Sequence, residues 1–396
     1  MQLSPVYVCG GAMTPFGRRR DHSTPRDWVR QVVAAALLDA GIEAREIDAV
    51  VFASETDFLS LQLVPAPVLV DELGLVPVAA VRVETGGASG GQAVRAGVMH
   101  LLSGLHRTVL VVGFEHAASH LSGDDVRMLY GLSFDADLEG FNGVTATALY
   151  ALSIQDHIAR HGTTRAQMAA VSVKNHRNAI SNPNAHKPMD IGIDDVLASP
   201  VVSDPYHLLD CSLISDGAAA LVLTRERALL RHDRPPVRVA ASACASDAVR
   251  LGDRPQPGYF RSKVVASRTA YLQAGISAPR RDIAFAELYD AYTGAELQGL
   301  EGLQLCAPGA AGPAMLAGEF DAGGELPINL SGGLIGQGGP PGATGIAQVL
   351  TLLKLLQGRY HDGLQPTLAR RFGLADAHAG VGTLSVVHIL EALDHA

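Results

Sequence analysis

The residues of this sequence that could do chemistry lie in a glycine-rich loop, a tyrosine pair and an isolated histidine. Residues 87–91 read Gly-Ala-Ser-Gly-Gly and match G-x-S-x-G, the strand-to-helix turn in which hydrolases place a nucleophilic serine. Tyr289 and Tyr292 flank Asp290 just after an apolar run, so two phenols and a carboxyl are available for proton transfer. His116 follows another apolar run, at a strand end where α/β proteins tend to place ligands. These residue types favour acyl or proton-transfer chemistry.

Nucleotide and metal chemistry find little support in the sequence. Segment 329–339 is rich in glycine, but it has neither the Lys-Ser/Thr pair of a phosphate loop nor a dinucleotide-binding G-x-G-x-x-G after a strand. The cysteines Cys9, Cys211, Cys244 and Cys306 form no C-x-x-C pair, so neither zinc nor a disulfide framework is expected. We therefore expect no metal, no separate cofactor and a reduced, cytoplasmic setting.

The composition sets the class of protein. The chain has 396 residues, of which 47% are hydrophobic and 18% charged, enough for a large core divided into two or three units. Its formal charge of −9 argues against a nucleic-acid partner or an anionic membrane surface. The first residues lack the charged start and apolar stretch of a signal peptide, and the apolar runs are too short or too interrupted to span a bilayer.

The elements that must position the chemical residues alternate between helix and strand. Ser23-Thr-Pro25 supplies a hydroxyl cap and a first-turn proline for a helix that Gly41 ends. Residues 50–52 and 108–112 form short apolar, β-branched runs, typical of strands covered on both faces. A helix is expected over about residues 91–102, before the second run. This alternation predicts an α/β fold with parallel sheets covered by helices.

An internal repeat indicates that the chain contains two similar halves. Residues 40–48 recur as residues 274–282, 234 positions later, and a strand-like run follows each copy. The loop at Gly87 and its helix resemble the loop at Gly339 and its helix, 252 positions later. Two matches in the same order favour a duplicated α/β unit.

The stretch between the repeats predicts the domain limits. Residues from about 118 to 206 are polar and rich in asparagine, and we interpret them as a loop domain inserted into the first half. The charged, proline-rich stretch 231–236 is the predicted seam. The expected units are therefore residues 1–230, including the insertion, and residues 237–396.

Nine short strings, in the same order along nearly the whole chain, resemble the thiolase superfamily and in particular its sterol-carrier and lipid-transfer-protein branch. They are Gly87-Ala-Ser-Gly90, Val173-Lys-Asn-His176, Ser199-Pro-Val-Val202, Leu209-Asp-Cys211, Ser215-Asp-Gly-Ala-Ala-Ala220, Glu287-Leu-Tyr-Asp-Ala-Tyr292, Asn329-Leu-Ser-Gly-Gly333, Pro341-Gly-Ala-Thr-Gly345 and Val387-His-Ile-Leu390. The resemblance implies a layered α-β-α-β-α fold of two duplicated halves, a homodimer, and an acyl-CoA site where loops of both halves converge.

The same resemblance implies that the usual catalytic side chains of the family are missing. Gly87 stands at the position of the nucleophilic cysteine, and Gly339 stands at the histidine of the Gly-His-Pro motif. Residues 380–385, where a second family cysteine is expected, contain none. Thiolysis needs a cysteine to carry the acyl group, so ordinary thiolase activity is not expected.

A cysteine-less chain of this kind resembles the retro-aldolases of steroid side-chain breakdown. These enzymes cleave a branched β-hydroxyacyl-CoA into a ketone or aldehyde and a shorter acyl-CoA, with help from a small OB-fold partner that carries a zinc ribbon. Tyr289 fits the proton donor implied by the resemblance. Tyr292 would lie on the opposite face if the strand continued through it, whereas a helix start at Asp290 would remove that objection. Asp290, Glu287 and His116 remain alternatives for the base.

Glycine-rich backbone supplies the expected oxyanion and substrate loops, at Gly87, Ser89, Gly339 and Gly382. Two other functions remain open. A non-catalytic acyl-CoA-binding or scaffold subunit of a thiolase-type complex would also explain the missing side chains, and a thioesterase would use Ser89 as its nucleophile.

Overall fold

The computed structural model describes residues 5–19, 21–60, 62–119, 121–361, 363–366 and 370–394, so the predicted outer limits at residues 1 and 396 lie outside the described residues. The strands in these ranges are β1 (Tyr7–Met13), β2 (Ala49–Ala53), β3 (Ala79–Val83), β4 (Thr108–Glu115), β5 (Val201–Ser203), β6 (Tyr206–His207), β7 (Gly217–Thr224), β8 (Val237–Ser246), β9 (Ile283–Glu287), β10 (Phe372–Ala379) and β11 (Leu384–Ala392).

The α-helices in the same ranges are α1 (Pro25–Ala40), α2 (Asp57–Ser60), α3 (Pro65–Glu72), α4 (Ser89–Leu102), α5 (Gly123–Gly131), α6 (Ala146–His161), α7 (Arg165–Ile180), α8 (Ile193–Ala198), α9 (Arg261–Ala274), α10 (Pro279–Asp282), α11 (Thr293–Gly302), α12 (Ala311–Leu316), α13 (Gly333–Gly336) and α14 (Pro341–Leu356). Of these described helices, none combines the length and the apolar character that crossing a bilayer requires.

One mixed sheet organises both halves, with strand order β3-β2-β4-β7-β1-β8-β11-β10-β9. Strand β4 is parallel to β2 and antiparallel to β7, which is antiparallel to β1. Strand β10 repeats the pattern, parallel to β9 and antiparallel to β11, which is antiparallel to β8. The predicted duplication is therefore visible in the pairing. The sheet is mixed rather than parallel, because an apolar run such as β4 reports burial on both faces and not the direction of its neighbours.

The repeated segments fold alike because a glycine ends the helix in each copy. Thr24 caps α1 by accepting a hydrogen bond from the Asp27 amide, and the helix ends at Gly41 with a φ of 70°. Helix α9 ends at Gly275 with a φ of 72°. Glycine adopts this left-handed conformation without the steric penalty of a Cβ. In each half the chain then enters a strand of the sheet, β2 or β9.

Helices α4 and α14 form the middle layer of the molecule. They contact each other, and each contacts strands of both halves, while α1 covers β1 and β7 on one outer side and α9 covers β8 and β11 on the other. A Cβ added to Gly345 on α14 would lie 2.8 Å from backbone atoms of Gly90 and Gly91 on α4, so the close approach requires glycine. The arrangement is the expected α-β-α-β-α layering.

The segment that we interpret as an inserted loop domain is largely helical. It contains α5 to α8, and some of its asparagines are buried and donate hydrogen bonds to the second half. The Asn178 amide donates to Asn329 O at 3.0 Å, and the Asn182 amide donates to Ser331 O at 2.8 Å. Asparagine therefore marks buried contacts between halves here, although its local preference is for turns. The stretch 231–236 has no helix or strand, and the domain limit there stays a prediction.

Candidate active site

A pocket opens where loops of both halves converge. It lies beyond the ends of β2 and β9, beside the turns that begin α4 and α14, and under the inserted helices α5 and α6. Its volume is about 410 Å³. The groups that could carry chemistry in its lining are Glu55, Gly87, Tyr130, Tyr150, Cys211, Tyr289, Tyr292, Gly339, His378 and Gly380. This is the region where the crevice of an α/β sheet usually binds its ligand.

Tyr289 occupies the space that a side chain at position 87 would need. A Cβ built on Gly87 would collide with the Tyr289 hydroxyl and would lie 2.9 Å from both Tyr289 Cζ and His378 O. Burial, together with the negative charge of Glu55, raises the pKa of Tyr289 well above its usual value. The phenol therefore stays protonated at neutral pH and can act as a proton donor.

Glu55 brings a carboxyl group to the same pocket. It follows β2, and its Oε1 accepts a hydrogen bond from Ser133 Oγ at 3.3 Å. Its Oε2 is buried and has no donor at hydrogen-bond distance among the described residues, although the neighbouring Tyr130 phenol lowers the pKa of the carboxyl. Burial raises the pKa of Glu55 to about 7, and the nearby charge of Glu84 adds to the shift. At neutral pH this carboxyl is poised to accept or donate a proton.

His378 presents a free acceptor nitrogen in the pocket wall. Its Nε2 lies 2.7 Å from Tyr150 Oη, which in turn lies 2.5 Å from Gly380 O. A carbonyl cannot donate, so the Tyr150 hydrogen lies toward Gly380 and His378 Nε2 is the donor to Tyr150. The Nδ1 atom then carries a lone pair, and it has no partner among the described residues. Burial, with the charges of Lys263 and Arg254, holds the pKa of His378 well below its usual value, so the ring is neutral.

Tyr292 lines the same pocket as Tyr289. The opposition expected for a continued strand does not arise, because β9 ends at Glu287 and residue 292 is the N-cap of α11. Strand alternation applies only within a strand. The Tyr292 hydroxyl pairs with Thr147 Oγ1 at 2.8 Å, and its ring packs against Tyr150.

Asp290 lies behind the pocket wall and is absent from the pocket lining. Its carboxyl is fully buried and accepts hydrogen bonds from Leu334 N at 2.7 Å, Ile335 N at 3.2 Å and Asn175 Nδ2 at 2.8 Å. These contacts hold the start of α13 in place. Glu287 is also buried, and Ser331 N donates to its Oε1 at 3.1 Å. Both carboxyls are accounted for by structural hydrogen bonds.

Ser89 is buried at the start of α4 and does not line the pocket. Its hydroxyl donates to Gly86 O at 2.7 Å and accepts from Thr85 N at 2.9 Å. The serine thus closes the turn that carries Gly87. Both contacts are to backbone atoms, so the arrangement lacks the histidine that would activate a hydrolase serine.

Three other expected site residues differ in their placement. His116 lies outside the pocket lining, and its ring meets Trp28 edge-on at a centroid distance of 5.2 Å. Gly382 packs against Phe260, and its neighbour Gly380 is the glycine that reaches the pocket. Gly339 does line the pocket, and its amide donates to Leu213 O at 3.1 Å, a bond that ties the two halves together.

Cys211 is the one cysteine in the lining of this pocket. Its thiol donates to His207 O at 3.3 Å, and burial together with the charge of Asp210 raises its pKa to about 12. The thiolate is the nucleophilic form of cysteine, so this thiol is a poor acyl acceptor at neutral pH.

The sequence reasoning missed Glu55 and His378, although the repeat contains a signal for both. Glu55 and Tyr289 are 234 positions apart, the spacing of the first repeat, and each stands two residues after an equivalent strand, β2 or β9. His116 follows the β4 partner of Ala53 by three residues, and His378 follows the β10 partner of Glu287 by three. His116 and His378 therefore occupy equivalent positions in the two halves. The sequence analysis selected His116, whereas His378 is the one that lines the pocket.

A separate group of residues has the types that bind a metal. His157 and His161 on α6 and Glu301 on α11 bring ligand atoms within 4.8 Å of one another, outside the pocket lining. His157 Nε2 already pairs with Glu301 Oε2 at 2.9 Å and Nδ1 with Thr163 Oγ1 at 3.0 Å. These bonds account for the group as a structural contact between α6 and α11.

Comparisons with known proteins agree with this fold over the whole chain. Residues 6–227 match the family described as thiolase, N-terminal domain, and residues 243–392 match thiolase C-terminal domain-like. An acetyl-CoA acetyltransferase of Methanothermobacter thermautotrophicus is 36% identical over 388 residues, which cover 98% of this chain and 99% of that protein. Sterol carrier protein 2 of Bos taurus is 27% identical over 408 residues, covering 94% and 70% respectively.

The solved structure of the Ltp2-ChsH2(DUF35) aldolase superposes with a TM-score of 0.82 at 24% identity, covering 99% of both chains. At this identity the likeness concerns the fold. The sequence matches extend across both halves, and the chain therefore belongs to the thiolase family.

Proposed function

We propose that this protein is a carbon–carbon lyase that cleaves a bulky β-hydroxyacyl-CoA by a retro-aldol reaction. The observation that carries the proposal is the collision between an added Cβ at Gly87 and the Tyr289 hydroxyl. A proton donor fills the volume where thiolase chemistry would need a nucleophile. A retro-aldol cleavage needs an acid, a base and an oxyanion site, and it forms no acyl-enzyme.

Acyl transfer is a weaker fit to the same pocket. One relative carries the name acetyl-CoA acetyltransferase, and such a transfer needs a nucleophile that takes up the acyl group. Here Gly87 has no side chain, and the thiol of Cys211 has a pKa of about 12. The thioesterase alternative fails on Ser89, whose hydroxyl is engaged with backbone atoms of its own turn.

In the proposed reaction the bond between Cα and Cβ breaks, and its electron pair remains on the thioester as an enolate. In the proposed complex the thioester oxygen lies near Gly87 at the start of α4, where the positive end of the helix stabilises negative charge. The Tyr289 hydroxyl then protonates Cα. The released fragment is a ketone or an aldehyde, according to the substitution of Cβ.

The pocket favours an apolar, branched acyl group. Tyrosine rings and aliphatic side chains dominate its wall, and its volume of about 410 Å³ falls within the range of small-molecule sites. Val202, Leu208 and Ile214 line it and are also at least 40% exposed, so they form an apolar rim. A steroid or other lipid side chain suits these properties, with coenzyme A as the carrier and no further cofactor.

We also propose two kinds of protein contact and a cytoplasmic location. A small OB-fold partner with a zinc ribbon would cover the apolar rim, an idea supported by the DUF35 component in the name of the Ltp2-ChsH2(DUF35) aldolase. A second copy of the chain would dock at the free edge of β3, where Val81 is 40% exposed. The four free cysteines suit a reduced compartment.

The direct test incubates the protein, with and without a DUF35-type partner, with β-hydroxyacyl-CoAs of increasing branching. We expect equimolar release of a carbonyl compound and a shorter acyl-CoA, measured by liquid chromatography and mass spectrometry. Free CoA formation alone would indicate a thioesterase. Tight acyl-CoA binding without any product, in the presence and absence of the partner, would contradict the lyase proposal and favour the scaffold alternative.

A further inference from the structure

We propose that Glu55 is the general base of the cleavage and that its carboxylate removes the proton of the substrate's β-hydroxyl. This role rests on the retro-aldol function proposed above. It assigns a residue to the proton removal that starts the reaction, for which the tyrosines and the bases expected from the sequence are unsuited.

Glu55 lines the pocket, and one of its carboxylate oxygens, Oε2, is buried without a donor at hydrogen-bond distance among the described residues. Ser133 holds Oε1 at 3.3 Å, and the Glu55 backbone amide donates to Glu115 Oε2 at 2.7 Å. The Tyr130 phenol lies next to this carboxyl and lowers its pKa, as Ser133 does, so both hydroxyls orient the group within the pocket lining. The Glu55 carboxyl also lies close to the turn that carries Gly87. A Cβ added to the neighbouring Gly86 would lie 3.7 Å from Glu55 Oε1. A bound hydroxyl is the partner that a free, buried carboxylate oxygen lacks.

The duplicated fold places this base opposite its acid. Glu55 follows β2 and Tyr289 follows β9, at equivalent positions of the two halves. The pseudo-symmetry therefore brings two proton-transfer groups to one pocket from separate scaffolds. The charge of Glu55 is felt at Tyr289, where it contributes to the raised pKa of the phenol.

Other groups in the pocket suit the base role less well. Tyr289 and Tyr150 have pKa values raised by burial, so neither forms a phenolate readily. The neutral ring of His378 can accept a hydrogen bond, but its pKa lies well below the usual range and it binds a proton weakly. Burial raises the pKa of Glu55 to about 7, which suits a base that works near neutral pH.

The charged and titratable groups near Glu55 come from several elements. Glu84 lies after β3, Glu115 ends β4, Tyr130 lies on α5 and Tyr289 follows β9. Burial disfavours a negative charge on Glu55, and the charge of Glu84 adds to that effect, while the Ser133 and Tyr130 hydroxyls oppose it. The base therefore becomes available as pH rises through about 7.

The proposed step balances without any other reactant. The β-hydroxyl proton moves to Glu55 Oε2, the Cβ–O bond becomes a carbonyl, and the Cα–Cβ electron pair becomes the enolate. Tyr289 gives its proton to Cα, and the proton held by Glu55 returns to the Tyr289 phenolate. The enzyme is reset, and the products are one carbonyl compound and one acyl-CoA.

The test compares Glu55→Gln, Glu55→Asp and Glu287→Gln in the complete protein. Glu287 is the matched control because burial also raises its pKa to about 7, although it lies outside the pocket lining and bonds Ser331. We expect Glu55→Gln to lower kcat/KM by about 100- to 10,000-fold and to remove the rise of log kcat/KM with pH. Glu55→Asp should be slower than the wild type but keep that rise, and Glu287→Gln should keep it.

Acyl-CoA affinity and the melting temperature, measured for each variant, separate loss of the base from loss of the fold. If the wild type and Glu55→Gln both cleave the substrate with the same pH profile, the role of Glu55 is overturned. The lyase function would then still stand. Loss of the pH rise in Glu287→Gln would assign the base to Glu287 instead. A wild-type protein that cleaves no substrate of the panel would remove both proposals.

Discussion

At the scale of single residues, the site is defined by which atoms fill the volume at position 87. Glycine there is a steric requirement, since the Tyr289 hydroxyl and His378 O stand where a Cβ would be. The proton donor and the missing nucleophile are therefore two aspects of one packing arrangement. A gain of cysteine at this position would have to displace the tyrosine.

Tyr289→Phe should abolish most of the cleavage while sparing substrate binding. The change removes the proton that we assign to Cα but keeps the ring that forms the pocket wall. We expect kcat/KM to fall by about 100-fold or more, with acyl-CoA affinity nearly unchanged by titration calorimetry. Tyr271→Phe is the control, because Tyr271 is a buried phenol that bonds Leu303 O outside the pocket. Equal rates for wild type and Tyr289→Phe would remove this residue from the mechanism.

Gly87→Ala should destabilise the protein through overpacking. The new Cβ would meet Tyr289 and His378 O, and we expect the free energy of unfolding to fall by about 1–3 kcal/mol in urea titrations. The same change in a Tyr289→Ala background should cost less, because the ring has been removed. Gly123→Ala is the control, since no atom lies within 4 Å of its added Cβ. Identical costs in both backgrounds would contradict the collision.

At the scale of elements, the turn into α4 depends on a serine that sequence reasoning could interpret in two ways. Ser89 joins Thr85 N and Gly86 O, so it fixes the loop on which Gly87 lies. The sequence matches the G-x-S-x-G pattern of serine hydrolases. Hydrolysis by such a serine also needs a histidine partner. The element explains the serine as a local cap of the turn.

Ser89→Ala tests that interpretation directly. Two backbone groups lose their partner, so we expect about 1–3 kcal/mol lower stability in thermal or urea unfolding. The lyase rate should fall by less than about tenfold, because Ser89 touches no reacting atom in the proposed step. A thioesterase would lose essentially all CoA release, which a thiol-reactive dye reports. Complete loss of turnover with intact folding would revive the hydrolase alternative.

At the scale of the whole molecule, the nine-stranded sheet ends in two edge strands, β3 and β9, and β3 is the edge that we propose as a dimer contact. Strand β3 pairs with β2 on one side only, and Ala79, Ala80 and Val81 are exposed. Unpaired strand edges with small apolar residues favour pairing with another strand. This edge supports the homodimer that we propose.

Val81→Lys should weaken that assembly. Two copies would bring like charges to the shared edge, so we expect a monomer in light scattering coupled to size-exclusion chromatography, where the wild type is a dimer. Leu272→Lys on α9 is the control, because Leu272 is 79% exposed and far along the chain from β3. A dimer that survives Val81→Lys would move the interface elsewhere, and a monomeric wild type would exclude the dimer proposal.

Much of the architecture follows from local sequence. The caps at Thr24 and Gly41 set the limits of α1, and the repeat spacing anticipates that β9 is equivalent to β2. The predicted helix at residues 91–102 begins at Ser89, a small difference at a helix end. The structure of the inserted segment was harder to predict, because asparagine is common in turns. Only the tertiary structure shows that Asn178 and Asn182 are buried and bonded to the second half.

The sequence by itself determined the duplicated thiolase architecture, the lack of a nucleophile at Gly87 and the presence of a phenol at Tyr289. Only the tertiary structure decided which groups share the pocket: it brought in Glu55 and His378, and it left His116 outside the lining. The physical reason is the distance along the chain between the residues that interact. Caps, periodicity and turns depend on neighbours a few residues apart, whereas Glu55 and Tyr289 meet only because packing brings together strand ends 234 residues apart.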